Sequence, residues 1–301
     1  MKNQKRQRYG PSADSQPIPQ PDCPRGDPER TQPHNTEYNR IDSGSFGSSD
    51  QIHGLIPVLE ALRAGKRSIE SIAVATGARH DRLRELLTLA REARVPVHRV
   101  PRISLDRFSG GTSHQGVVAR TSAARYRDAD ELLEVLAARV GTDRHPLALG
   151  LDGVEDPRNF GAILRTAECA GIDGVFIPER RAVGLTDTAA KAAAGAIEYV
   201  PVARVTNLVR LIEQMKERNI WVVGAAADGA LNYTEWDWTL PTALFLGNEG
   251  SGLRRLVRER CDSLLRIPMV GRLNSLNVSV AAGVLFFEAL RQRTQARIVM
   301  K

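Results

Sequence analysis

Apolar positions fall into two blocks of alternating helical and extended pattern, preceded by fifty residues with no period. From residue 51, Ile52, Leu55, Val58, Leu59 and Leu62 recur near helical spacing and predict a helix that stops near Gly65. Residues 68–75 predict a strand, and 80–93 a helix with Leu83, Leu86, Leu87 and Ala90 inward. Strands over 95–100 and 117–120 complete a small α/β unit. Residues 122–145 carry an acidic, amphipathic pattern (Glu131, Leu132, Leu133, Val135, Leu136) that predicts a connector and a domain boundary. A second block then opens with an apolar strand at 147–151, a loop holding Pro157 and a helix over 160–170. Strands at 175–178, 199–203 and 220–227 alternate with helices at 186–195 and 208–215. Near the end, an apolar strand enters a glycine-rich turn and a basic helix (Arg254, Arg255, Arg258, Arg260). Leu264, Leu265 and Ile267 mark a short strand that Pro268 stops, and Val278, Val280, Ala281, Val284, Leu285 and Phe287 mark a last helix. Such alternation implies a mostly parallel sheet covered on both faces, and periodicity alone predicts an open doubly wound domain.

The chain of 301 residues is long enough for two cores. Its net charge of +7 is unevenly spread. Residues 51–127 hold 14 basic against 6 acidic side chains, whereas residues 1–50 balance 7 against 7. A positive excess confined to one small module is the footprint of phosphate binding, and equally of an arginine-rich solvated surface. That module has Phe108 and Tyr126 as its aromatics, so RNA binding there would rest on backbone charge and shape. The first 50 residues, with 7 of the 16 prolines, predict a disordered extension. Cys23, Cys169 and Cys261 lie far apart with no paired spacing, which supports neither a disulfide framework nor a zinc site and fits a reducing cytoplasm. No apolar run reaches membrane-span length. His53 and His114 read best as half-buried structural residues.

Three stretches of the second block carry candidate chemistry. The first is Asn159-Phe160-Gly161-Ala162-Ile163-Leu164-Arg165-Thr166-Ala167. Its Arg165 is a fixed cation with five donors, suited to gripping phosphate and unsuited to accepting a proton. The second is Leu244-Phe245-Leu246-Gly247-Asn248-Glu249-Gly250-Ser251-Gly252-Leu253, whose glycines let a ligand approach bare backbone. There is no GxGxxG after a strand and no GK[ST], which argues against dinucleotide or nucleoside triphosphate binding. The third runs from Ile267 through Asn274-Ser275-Leu276-Asn277 into the last helix, where Ser275 and Asn277 can both cap. Taken singly, each has a plainer reading: a solvent-facing arginine, a phosphate-holding turn, a buried helix with a polar cap.

Together, in this order, the three resemble the signature motifs of the SpoU (TrmH-type) RNA ribose 2′-O-methyltransferases of the SPOUT superfamily, over roughly residues 147–293. The stretches HGLIPVLEALRAGKRSI and SHQGVVA resemble the L30e-like substrate-binding domain of RlmB-type members, over about 51–121. The resemblance implies an α/β trefoil-knot catalytic domain over 146–301, joined through 122–145 to the smaller L30e-like α/β domain and the disordered tail. It further implies S-adenosylmethionine as methyl donor, no metal, a homodimer built near the last helix, and an RNA substrate, with a guanosine of large-subunit rRNA as target. Neither DNA nor a membrane is implied as a partner. Arg165 would orient and activate the ribose hydroxyl, with Asn159 positioning RNA and Glu249 as the expected acid. Backbone groups of Gly247, Ile267 and Leu276 would hold the adenosyl moiety, with Ser275 and Asn277 supporting the pocket or the target nucleotide. Asn248 and Ser251 stand where many members have Ala and Glu. A tRNA-directed or antibiotic-resistance methyltransferase of the same family, and a non-catalytic RNA-binding or ribosome-assembly protein, are the alternatives.

Overall fold

The computed structural model describes residues 51–78 and 81–299. The tail over 1–50, and the start of the helix predicted from His80, lie outside the described residues.

The first block forms β1 (Gln51–His53), α1 (Leu55–Ala64), β2 (Ile69–Ala75), α2 (Leu83–Glu92), β3 (Val97–Val100), α3 (Arg102–Phe108) and β4 (Val117–Thr121). The sheet order is β1-β4-β2-β3, with β4 antiparallel to both neighbours and β2 parallel to β3. Leu55, Val58, Leu59, Leu86 and Ala90 bury one face of this sheet against Ile72, Val74, Val117 and Ala119. Ile52 belongs to β1 and not to the helix that its spacing predicts. Gly54, at φ +104, turns the chain between the two and donates its N–H to Val117 O at 2.9 Å. α1 stops where expected, because Gly65 takes the left-handed conformation and closes onto Ala61 O. α3 has only seven residues, too few for a readable period, yet its Leu105 seals the other face against Ala73, Ala75 and Val118. His114 is buried, with Nε2 at 2.9 Å from Asp106 Oδ1 and Nδ1 accepting the Gly116 N–H, as a structural histidine does.

The segment read as a connector contains α4 (Ala129–Ala137), capped by Asp128 accepting the Glu131 N–H. Leu132, Leu133 and Leu136 enter the same core as Ala148, Phe176, Leu211, Ile212 and Met215, so this helix belongs to the second layer's wall. Its acidic face is the solvated one.

The second block continues with β5 (Leu147–Asp152), α5 (Pro157–Ala170), β6 (Gly174–Pro178), α6 (Asp187–Ala193), β7 (Val202–Val205), α7 (Leu208–Glu217), β8 (Trp221–Ala225) and β9 (Leu231–Asn232). β10 (Thr242–Gly247), α8 (Arg255–Arg260), β11 (Ser263–Arg266) and α9 (Val278–Val299) complete it. α5 begins three residues before its apolar pattern, because Pro157 sits in the first turn and Asp156 caps the Arg158 N–H at 2.8 Å. The strand predicted from Tyr199 starts at Val202, since Ala196–Glu198 form a 3-10 turn after α6.

Seven strands make one parallel sheet in the order β7-β6-β5-β10-β8-β11-β9. Leu147, Leu149 and Leu151 face α5 and α9, whereas Ala148 faces α4 and α7. A side chain on Gly150 would meet the Phe245 ring at 2.3 Å, so that glycine makes room for the larger residue on β10. The strand order departs from the sequential order of the chain. β10 inserts between β5 and β8, and β11 then crosses back beyond β8. Both connections therefore pass the same strand, and α9 returns to lie on α5.

Candidate active site

Because every strand of the large sheet is parallel, the loops after β5, β8, β10 and β11 leave from one edge, where open α/β sheets hold ligands. The turn after β10 is tight. Asn248 and Gly252 exchange backbone hydrogen bonds at 3.1 and 2.9 Å, folding the chain back on Gly247. A Cβ on Gly247 would lie 2.0 Å from Gly252 C and 2.2 Å from Leu253 N. The glycine is therefore demanded by the turn itself, and Gly252 supplies the positive φ of +67. Asn248 accepts the Gly250 N–H and donates to Gly153 O, both at 2.8 Å. Asn248 thus ties this turn to the loop after β5.

The turn presents Glu249 toward the starts of α5 and α9. Asn159 Nδ2 donates to Glu249 Oε1, and Asn277 Nδ2 reaches Asn159 Oδ1 at 3.1 Å and Glu249 Oε1 at 3.4 Å. Residues 90 and 118 positions from Asn159 thereby meet in one polar cluster, with Glu249 and Asn277 exposed and Asn159 half-buried. Asn277 also caps α9, since Oδ1 accepts the Ser279 N–H at 2.9 Å. Ser275 is exposed and does not share the capping expected of it. Arg165 lies farther along α5, exposed, and its side chain forms no hydrogen bond or ion pair with any described residue. It does not join the cluster. Gly161, between Asn159 and Arg165, has a packing reason: a Cβ there would strike Ala189 O at 2.4 Å on α6.

Ile267 and Leu276 bound the loop from β11 to α9, and both are half-buried. Residues 267–276 make no backbone hydrogen bond with described residues. Their amide and carbonyl groups thus have no backbone partner among the described residues.

One residue of this edge was not singled out by sequence pattern. Asp152, 1% exposed at the end of β5, accepts the Arg254 N–H at 2.7 Å and faces the Arg254 guanidinium at 3.3 Å. Arg254 is therefore committed to the sheet edge instead of lying free on a basic helix. The signal was an acid ending an apolar strand, which the loop assignment at Asp152 obscured. Cys261 lies beneath α8 and donates to Val257 O, and burial pushes its thiol up to about 12, which leaves it inert. No three acidic, histidine or cysteine side chains among the described residues gather as a metal site, and no described helix is long and apolar enough to cross a membrane.

A parallel sheet with crossing connections, glycine turns and an Asn-Glu-Asn cluster at its carboxyl edge defines an α/β enzyme of the SPOUT type. Residues 146–287 match the SpoU rRNA Methylase family, and residues 51–127 match the RNA 2′-O ribose methyltransferase substrate binding family. A Bacillus subtilis (strain 168) protein assigned to the TrmH family of tRNA/rRNA methyltransferases is 44% identical over 244 residues, 81% of this chain and 96% of its own length. Among solved structures, the SpoU methyltransferase AviRb from Streptomyces viridochromogenes superposes with a TM-score of 0.67 at 26% identity, covering 83% of this chain and 91% of its own. The AdoMet-bound rRNA methyltransferase from Sinorhizobium meliloti gives 0.66 at 26% identity, covering 81% and 87%. The chain belongs to the SpoU/TrmH family of RNA methyltransferases.

Proposed function

We propose that the protein methylates the 2′-hydroxyl of a ribose in RNA with S-adenosylmethionine as donor, and that its target is a guanosine of large-subunit rRNA. The observation that carries this reading is the meeting of Asn159, Glu249 and Asn277 beside a loop whose backbone is unpaired. S-adenosylmethionine supplies a methyl group on a sulfonium, already activated for transfer. Gly247, Ile267 and Leu276 would hold its adenosyl part through backbone groups, with Ser275 at the rim. The remaining work is to place the hydroxyl in line and exclude water, which requires positioned donors and acceptors more than a strong base. Glu249 accepts hydrogen bonds from both asparagines and so stays oriented. The two asparagine side chains are then held to meet ribose and base edges. Arg165, whose side chain has no partner among the described residues, is available to an RNA phosphate and to the ribose oxygen, whose negative charge it would stabilise from the loss of the proton to solvent until the O–C bond forms and the S–C bond breaks. Such a role needs no proton acceptance by the guanidinium.

The rRNA target is favoured by the rRNA methyltransferases among the neighbouring structures, whereas the Bacillus relative carries both tRNA and rRNA in its name. A homodimer is supported by α9, which leaves Val280 and Phe287 half open to solvent, 52% and 50% exposed, on the side away from its own core. No DNA is expected as substrate, and the cytoplasm is the compartment that fits.

The test is transfer of labelled methyl to unmodified large-subunit rRNA, small-subunit rRNA and tRNA in parallel, with ribose-methyl mapping. Label at one guanosine of the large-subunit RNA is expected. Arg165→Ala should lower transfer by about 10²-fold or more with unchanged S-adenosylmethionine affinity. Label on tRNA alone would overturn the target, and an unimpaired Arg165→Ala would remove that residue's role. Absence of both transfer and cofactor binding would favour the non-catalytic RNA-binding reading.

A further inference from the structure

Away from the carboxyl edge, a cleft of about 570 Å³ opens between the small module and the edge strand β7. Its walls come from four places: Lys66, Arg67 and Ser68 after α1, residues 122–127 leading to α4, Leu185 before α6, and residues 197–202 leading into β7. The two layers are joined beneath it by close packing. A Cβ on Gly195 would meet Glu60 at 2.5 Å, Tyr199 Oη donates to Glu60 Oε2 at 2.8 Å, and Arg67 faces Glu198 at 3.0 Å. Arg67 and Glu198 are almost wholly buried, at 10% and 3% side-chain exposure. Arg67 Nη2 and Glu198 Oε1 thus make a buried ion pair in the floor, and this pair ties the two layers together.

The rim is basic, with the buried Glu198 carboxylate attracting Lys66 from below. Lys66, Arg125 and Arg127 are exposed and form no ion pair with any described residue. The Tyr199 ring, 37% exposed, is fixed by its hydroxyl and lies 6.0 Å from Lys66 Nζ. The volume falls in the usual range of ligand sites, about 300–1,000 Å³. That volume is room for a nucleotide and its flanking phosphates and is too small to enclose a duplex. Exposed cations without a close ion pair, tracking a groove beside an aromatic ring, are what a single strand of nucleic acid requires.

We propose that this cleft takes a single-stranded segment of the RNA substrate, with phosphates on Lys66, Arg125 and Arg127 and a base against Tyr199. The inference rests on the RNA-methyltransferase reading and adds a second point of hold, apart from the transfer site. A strand gripped there bridges module and sheet, so the target ribose is presented with the module already docked.

The test compares the full chain with the variant Lys66→Ala/Arg125→Ala/Arg127→Ala, using an oligouridylate single strand and a perfectly paired RNA duplex as probes. Binding is followed by anisotropy across a salt series. For the single strand, the slope of log affinity against log salt should fall by about 2, because each phosphate no longer neutralised removes about 0.7. The duplex slope should change less, and S-adenosylmethionine binding should be unchanged. Tyr199→Leu should weaken single-strand binding by about tenfold without altering the slope. An unchanged single-strand slope, or an equal loss for both probes, would overturn the cleft assignment while the parent still transfers methyl to rRNA. A parent that neither binds RNA nor transfers methyl would instead overturn the functional reading on which the cleft depends.

Discussion

Arg293 offers a direct measure of how α9 is fixed to the sheet. Its guanidinium is half-buried and donates to four backbone carbonyls: Trp238 O at 2.8 Å, His145 O at 2.7 Å, Pro146 O at 3.0 Å and Leu240 O at 3.1 Å. These carbonyls lie just before β5 and in the segment that enters β10, so one side chain staples the returning helix to the amino ends of two central strands. Burial pushes the pKa of Arg293 down to about 10, which still leaves it charged at neutral pH. Replacement by Met keeps the length and removes every donor. Pro146 O retains the Thr242 N–H and Leu240 O retains the Thr242 hydroxyl, so those two acceptors stay satisfied. His145 O and Trp238 O keep no other donor among the described residues. Each orphaned acceptor costs about 1–3 kcal/mol. The relief of no longer burying a charge offsets part of this. Arg293→Met should therefore destabilise by about 3 kcal/mol and lower Tm by about 6–12 °C for a protein of this size. Arg293→Lys should fall between, since a point charge cannot span four carbonyls as a planar fork does. Arg255→Met, which breaks an exposed pair with Glu259, is the control and should stay within about 1 kcal/mol. Thermal or urea unfolding of the three variants reads the result. A loss below about 1 kcal/mol for Arg293→Met would refute the idea that this side chain anchors the helix.

Two other predictions concern single residues. Gly247→Ala drives a Cβ into the backbone of Gly252 and Leu253 and should cost at least about 2 kcal/mol together with cofactor affinity. Gly250→Ala, whose nearest obstacle is Asn248 Oδ1 at 3.6 Å, should leave stability nearly unchanged, and equal effects at the two positions would sink the steric argument. His53 is held below the ordinary histidine value of 6.5, first by burial and then by Lys191 and His114. Because the unfolded chain then binds the proton more readily, His53 should cost stability as pH falls through about 6.5. Tm measured at about pH 7.5 and about pH 5.5 should converge in His53→Gln relative to the parent, and an identical pH dependence in both would contradict this.

Much of the architecture was legible along the chain, since period and punctuation are local. The Leu147-Ala148-Leu149 alternation, the Ala-rich helix after β6 and the Gly65 stop each depend on neighbours within a few residues. The same holds for the three motifs, whose residue types announced a glycine turn, a helix arginine and a capped last helix. Boundaries failed where a single residue overruled the pattern. Gly54 cut Ile52 from α1, Pro157 and Asp156 started α5 early, and a 3-10 turn delayed β7. α4 read as a connector because amphipathic spacing says that one face is buried and is silent about what buries it.

Meetings between distant positions were decided by the tertiary structure alone. The Asn159–Glu249–Asn277 cluster joins the start of α5, the turn after β10 and the cap of α9, and it forms because β10 inserts beside β5 while α9 returns over α5. No local property of the chain ranks that strand order above the sequential one, and only the family resemblance pointed to it. The same holds for Asp152 beneath Arg254, for the four carbonyls under Arg293, and for the basic cleft between module and sheet. Local pattern sets which elements form, because propensity and hydrophobic period act within a turn or two. Which elements meet depends on burying all their apolar faces at once, and that is a property of the whole chain.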